Sequence, residues 1–148
     1  MKNSPVNVGP IDGLLGWHLR RASIVFSPDR HTPRGVPRGL LSVLSVLSVN
    51  SGINQIALSK AIGIDAANLV PLLDKFVKQG YVERMVHPED RRARVLSLTR
   101  AGKTQLKKML ELCNKLEVKT LHGFSSGERE LLTALLKRMH MPSEPDTK

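Results

Sequence analysis

The residues with the most chemistry to offer lie in HPEDRRARVLSLT, residues 87–99. Arg91, Arg92 and Arg94 fall within four positions, just behind Glu89 and Asp90. A guanidinium presents five N–H donors in a fixed fork and no acceptor, so such a cluster suits oxyanions, phosphate above all. A second group is Trp17, His18, Arg20, Arg21 and Phe26. It sets aromatic surface beside cations, which suits a ring bearing a carboxylate or phosphate. Arg20 and Arg21 point in different directions on a helix, so one at most faces such a pocket. The third candidate is Cys113, the single cysteine. A sensing thiol needs a lowered pKa and access to oxidant. Cys113 falls on an apolar helical stripe, which favours a buried, structural role.

Other chemistries find no support. The five histidines (His18, His31, His87, His122, His140) show no paired metal spacing and have no cysteine nearby. There is no Gly-rich phosphate loop, no HExxH and no nucleophile elbow, so an enzyme is not expected. One cysteine cannot form a disulfide within the chain, which fits a reducing compartment. The opening MKNSPVNVGP lacks the apolar core of a signal peptide, and no stretch reaches the roughly 18 apolar residues of a membrane helix. The expected location is the cytoplasm, with no membrane partner.

Charge points the same way as the arginines. Lys and Arg number 23 against 13 Asp and Glu, a formal net charge of +10 over 148 residues. Arg84 to Lys108 alone carries +6 of it. An excess this local favours an anionic partner: nucleic acid, an acidic membrane surface or an acidic protein.

These groups need elements to position them. Residues 1–10 read as a loose arm and 141–148 as a polar tail, leaving one domain over 11–140. Ile11, Leu14, Leu15, His18, Leu19, Ala22, Val25 and Phe26 have helical spacing. Ser27-Pro28 ends that helix, and DRHTPRGVP is a loop. PRGLLSVLSVLSVN tempts a strand reading through its valines. Yet Leu40-Leu41, Val43-Leu44 and Val46-Leu47 break strict alternation, and serine recurs every third residue. The expectation is a largely buried helix, with Pro37 in its first turn and Asn50-Ser51-Gly52 as its stop.

Two helices follow in close order, Gln55–Ile62 and Asp65–Gln79, broken at Gly63, with Asp65 as N-cap of the second. Leu69, Leu72, Leu73 and Phe76 give that helix one apolar face. Tyr81–Val86 and Val95–Leu98 read as strands around the HPEDRRA turn. Thr99 caps a long helix. Ser125 and Glu128 have capping-box spacing at the head of a last helix.

Two helices joined by a tight Gly-containing turn form a helix-turn-helix candidate, in which one helix can enter the DNA major groove. A hairpin directly behind it makes a wing. Its strands hold the basic tip away from the body, where an arginine can lie along a narrow minor groove. Asp90 then orders an arginine or the turn backbone before binding, which lowers the entropic cost of association. The fold class expected is mainly α: a winged helix-turn-helix lobe over 37–99 with a two-stranded wing, flanked by N- and C-terminal helices over 11–36 and 100–140.

Asp90-Arg91-Arg92, followed by Leu96-x-Leu98-Thr99-x-x-Gly102, resembles the signature of the multiple-antibiotic-resistance regulator (MarR) family. The likeness extends back through LVPLLDKFVKQGYVERMVHPEDRR, which is similar to that family's recognition helix and wing, with Gly63-Ile64 and Leu72-Leu73-Asp74 in their expected places. GWHLRRA in the first helix resembles members associated with aromatic acids or their coenzyme A thioesters. The resemblance implies a cytoplasmic homodimer, with 11–36 and 100–140 as its N- and C-terminal dimerisation helices, that binds a pseudo-palindromic double-stranded DNA operator as a repressor. Release would come from a small effector, an aromatic carboxylate or aromatic acyl-CoA, with no resident cofactor. It implies Arg92 as the minor-groove arginine and Asp90 as its support. Ala66, Ala67, Asn68 and Val70 would then lie near base edges. The wider DNA-facing set adds Asn54, Gln55, Pro71, Lys75, Arg84, Arg91 and Arg94.

One departure stands out. Pro71 lies inside the recognition helix, where many relatives carry a polar or basic residue, and an interior proline removes a helix hydrogen bond. The helix face offers few base-reading side chains, and Asn68 is the best of them, since asparagine can pair with adenine. Shape and backbone contacts are therefore expected to carry more of the specificity than usual. Three rival functions stay open at this level. They are a constitutive architectural DNA binder, a redox-responsive one acting through Cys113, and a protein-interaction module on the winged fold.

Overall fold

The computed structural model describes residues 8–26, 39–86 and 94–140. After a 3-10 turn, Gly9–Gly13, the order is α1 (Leu15–Val25), α2 (Leu40–Val49), α3 (Gln55–Ile62), α4 (Ala66–Lys78), β1 (Val82–Val86), β2 (Arg94–Leu98), α5 (Arg100–Thr120) and α6 (Ser126–His140). This is the mainly helical winged architecture expected.

The first helix is shorter than its apolar spacing suggested. It starts at Leu15 rather than Ile11, because Leu14 is extended (φ −95°, ψ 119°). Pro10, Gly9 and Gly13 disfavour a continuous α-helix there, and the segment winds as a 3-10 turn instead.

The serine-punctuated segment is a helix. Leu40, Val43, Leu44 and Leu47 are all buried, at spacings of three and four. The serines sit between these ridges, and Ser48 donates to the Ser45 carbonyl at 2.7 Å. Asn50 ends the helix by donating from its side chain to the Val46 carbonyl at 2.9 Å. At the other end Gly39, with φ +78°, is the N-cap. Pro37, expected in the first turn, lies outside the described residues, and α2 begins three positions later.

Around α2 the core gathers Leu58 of α3, Leu69, Leu73 and Phe76 of α4, Val82 of β1, Leu96 of β2 and Met109 of α5. Phe76 is fully enclosed; truncating such a side chain to alanine costs about 3–5 kcal/mol. Helix α4 stops in a Schellman motif. Gly80, at φ +72°, donates to Val77, and Tyr81 donates to Phe76 at 3.0 Å. The chain therefore reverses directly into the hairpin, and the strand starts at Val82, one residue later than expected.

The strands are antiparallel, in register from Val82 opposite Leu98 to Val86 opposite Arg94. Ile53, just before α3, forms a bridge to Leu96 on the far side of β2. This makes β2 the middle strand and explains why Val95, Leu96 and Ser97 are buried while β1 buries only Val82. Helices α1 and α6 bury no residue in the monomer. Leu15 is 63% exposed and Met139 59% exposed, so these helices carry an uncovered apolar face.

Candidate nucleic-acid interface

Helices α3 and α4 meet at a bend of 108°, within the range of a helix-turn-helix. Gly63, at φ +67°, makes the turn between them in a conformation that suits glycine. Asn54 caps α3, its side-chain oxygen accepting from the Ala57 N–H at 2.8 Å. Part of its hydrogen-bonding capacity is thus used inside the protein. Gln55, the first residue of α3, is half-buried. Asp65 stands at the N-cap position of α4, but its side chain makes no capping bond. The sequence-based capping role is corrected: backbone bonds from Asn68 and Leu69 to the Asp65 carbonyl start the helix instead.

Helix α4 presents Leu69, Leu73 and Phe76 inward. Ala66, Ala67, Asn68, Val70, Pro71, Asp74, Lys75 and Lys78 are exposed. Pro71 does not interrupt the helix, which runs on to Lys78. Having no N–H, it leaves the Ala67 carbonyl without its usual i+4 donor.

Arg84 of β1 is held by α4: its Nη1 lies 2.6 Å from Asp74 Oδ1. Arg84 is among the DNA contacts expected from the sequence, but its partner is not legible there, because the pair spans two elements. Arg84 and Arg94 share one face of the hairpin, since β1 and β2 pair with Val86 opposite Arg94. Arg94 is exposed. Asp90, Arg91 and Arg92, the expected wing tip, lie outside the described residues. Arg100, Lys103, Lys107 and Lys108 are exposed on α5.

One junction fixes the hairpin to α5. Thr99 Oγ1 donates to the Gly80 carbonyl at 2.6 Å and accepts from the Gly102 N–H at 3.0 Å. The Thr99 N–H donates to the Tyr81 carbonyl at 3.1 Å. A Cβ on Gly102 would overlap the Tyr81 carbonyl oxygen and lie 2.6 Å from Leu98 Cδ1. Thr99-x-x-Gly102 is thus a capped, closely packed corner that sets where the wing leaves the body.

The aromatic and basic group in α1 is not gathered into one pocket. Arg21 lies over the Trp17 ring, 5.7 Å from its centroid. His18 Nε2 lies 2.5 Å from the Asp12 carbonyl, and Arg20 is exposed. Phe26 belongs elsewhere: it lines a cleft of 340 Å³ with Leu41, Leu110, Cys113, Leu116 and Glu117. Burial, and then the Glu117 carboxylate, push the Cys113 thiol above its ordinary value. That is the wrong direction for a reactive thiolate. Among the described residues, no group of three His, Cys, Asp or Glu side chains could hold a metal ion, and no single helix is long and apolar enough to cross a membrane.

The bent helix pair, the exposed face of α4 and the antiparallel hairpin beside it define a winged helix-turn-helix, the architecture of DNA-binding regulators. Residues 37–93 match the family described as the MarR family. The chain is 32% identical over 136 residues to a Thauera aromatica protein named "Putative transcriptional regulatory protein for hcr operon", covering 89% of this chain and 82% of that one. It is 30% identical to the transcriptional repressor CouR bound to a 23-mer DNA duplex, with a TM-score of 0.82, covering 92% of this chain and 99% of that one. CouR from Rhodococcus jostii RHA1 bound to p-coumaroyl-CoA shares the fold at 21% identity and a TM-score of 0.78, over 92% of this chain and 98% of that one. The chain belongs to the MarR family of DNA-binding transcriptional regulators, which are not enzymes.

Proposed function

We infer that this protein is a cytoplasmic homodimeric repressor that binds a pseudo-palindromic operator and lets go when an aromatic acid or its coenzyme A thioester binds. The observation that carries the reading is the exposed face of α4, set at 108° to α3 beside a hairpin that bears Arg84 and Arg94, in a chain 30% identical to a DNA-bound repressor.

Dimerisation is supported by the uncovered apolar faces of α1 and α6. Between them runs a groove of 500 Å³ lined by Leu15, Leu19, Leu132, Leu135, Leu136 and Met139. Apolar surface of this kind on a charged protein calls for a partner. A second copy would carry the same surface, as a two-fold interface requires. Arg129 stiffens the turn that orients α6, donating to the carbonyls of Leu121 at 2.7 Å and Phe124 at 3.1 Å. A two-fold dimer would present two α4 helices to successive major grooves, about 10 base pairs apart.

The effector reading is supported by the cleft at Phe26. Its volume suits an aromatic ring, and its walls come from the end of α1, from α2 of the DNA-binding lobe and from α5. A molecule wedged there would bias the lobe against the dimer helices. Only its differential affinity for the two spacings could shift the equilibrium. CouR from Rhodococcus jostii RHA1 binds p-coumaroyl-CoA, a compound of the class proposed here.

The test is a fluorescence-anisotropy titration with the DNA upstream of the protein's own gene, followed by a panel of aromatic acids and their coenzyme A thioesters. Tight, salt-sensitive binding released by one compound is expected. A flat salt response would count against direct binding to phosphates. Tight binding that no compound releases would remove the effector and leave the DNA reading.

A further inference from the structure

The first two turns of α4 present an exposed surface that is almost wholly apolar. Ala66, Ala67, Val70 and Pro71 are all open to solvent, and Val70 is 40% exposed. Val70 and Pro71 lie three and four positions after Ala67, and Asp74 lies four and three positions after them, so the four share the side of the helix opposite Leu69, Leu73 and Phe76. The acid on this strip is already engaged, since Arg84 holds Asp74 at 2.6 Å. Lys75 and Lys78 stand at the far end of the helix, where their charges suit the phosphate backbone. Asn68 is the one uncharged polar side chain in these turns.

A recognition helix of this kind brings its N-terminal residues to base edges in the major groove. Base edges there offer donors, acceptors and one apolar group, the C5-methyl of thymine. Aliphatic side chains cannot answer donors or acceptors, and covering those without a partner is costly. They can bury a methyl.

We propose that α4 reads its operator through thymine methyl groups packed against Val70 and Pro71, flanked by Ala66 and Ala67. The inference rests on the DNA-binding reading above and deepens it. Each half-site then carries thymines at fixed positions. Hydrogen-bonded readout is confined to the neighbourhood of Asn68. Exchange of a contacted thymine for deoxyuridine removes only the methyl, leaving base pairing and every hydrogen-bonding group in place. The expected loss is about four-fold in affinity per contacted thymine, the equivalent of failing to bury one methyl-sized group.

The experiment uses the full-length protein. Sequences are first selected from a random duplex pool, and each thymine of the enriched half-site is then replaced by deoxyuridine in turn. The same series is repeated with Val70→Ala, whose site is exposed and outside the core. The proposal expects one or more positions where deoxyuridine weakens binding to the wild type and has lost that effect in Val70→Ala. Failure to enrich any sequence would overturn both this proposal and the sequence-specific regulator. Enrichment with no sensitivity to deoxyuridine would overturn the methyl readout alone. Equal sensitivity in the wild type, in Val70→Ala and in a parallel Pro71→Ala series would assign the effect to DNA shape and overturn it as well.

Discussion

Arg84 and Asp74 join the wing to the recognition helix, with Nη1 2.6 Å from Oδ1. Both side chains are substantially exposed, at 36% and 57%. The pair therefore adds little to folding, about 0.2–1 kcal/mol at most for an exposed pair. Its effect falls on the charge that faces DNA, because it neutralises an acid on the strip meant for the groove. Asp74→Asn should leave the fold intact, strengthen DNA binding and free Arg84 for a phosphate. The slope of log affinity against log salt should steepen by roughly 0.9 per half-site. Anisotropy titrations at several salt concentrations read this directly; an unchanged slope would show that Arg84 stays off the backbone.

Arg92→Ala tests the wing as the sequence reads it. Operator affinity should fall about ten-fold or more, equivalent to roughly 1.4 kcal/mol. The circular dichroism spectrum and the elution volume of the dimer should stay the same. Unchanged affinity would remove the minor-groove role.

Gly102→Ala should destabilise the whole domain. Its Cβ would meet the Tyr81 carbonyl and Leu98 at the corner built on Thr99. Overpacking of this sort costs about 1–3 kcal/mol, to be measured as a lower urea midpoint at unchanged m-value. A wild-type midpoint would mean that the corner relaxes freely.

Cys113 should be a sluggish thiol. With its pKa raised by burial and by Glu117, alkylation by iodoacetamide should require higher pH than in an unstructured peptide. Glu117→Gln should move the rate–pH curve toward lower pH, and only partly, since burial is the larger cause. A curve already at or below the peptide's would revive redox sensing through this residue.

The capping box of α6 should be acid-sensitive. Glu128 accepts from the Ser125 hydroxyl at 2.6 Å and from the Ser125 N–H at 2.7 Å. These bonds lower its pKa from the ordinary carboxylate value. A lowered folded-state pKa means that the contribution is complete above the unfolded carboxylate's titration and is lost as pH falls through the folded value. NMR titration of the Glu128 side chain should show the low midpoint, and Ser125→Ala should return it toward normal.

Much of this fold is legible in sequence because it rests on local rules. Serine at every third position of α2 leaves Leu40, Val43, Leu44 and Leu47 on buried ridges, so a helix beats a strand despite the valines. Gly63 and Gly80 mark turns through their left-handed conformations. Thr99 and Ser125 announce helix starts. The exposed positions of α4 follow from the spacing of Leu69, Leu73 and Phe76. Where local rules competed, the reading slipped. Asp65 is a good N-cap type but its side chain does not bond, and the apolar spacing of Ile11 to Phe26 hid the weak helix formers Gly9, Pro10 and Gly13.

The sequence by itself determined a basic winged helix-turn-helix, its core faces and its likeness to a regulator family, because periodicity, caps and charge act over a few neighbouring residues. The tertiary structure alone decided which side chains meet across elements. It paired Arg84 with Asp74, pressed Gly102 against Tyr81 and made β2 a middle strand through Ile53. It also parted Phe26 from Trp17, sending one to the cleft at Cys113 and stacking the other under Arg21. Such pairings depend on how helices and strands pack in three dimensions, and residue spacing along a chain carries no record of them.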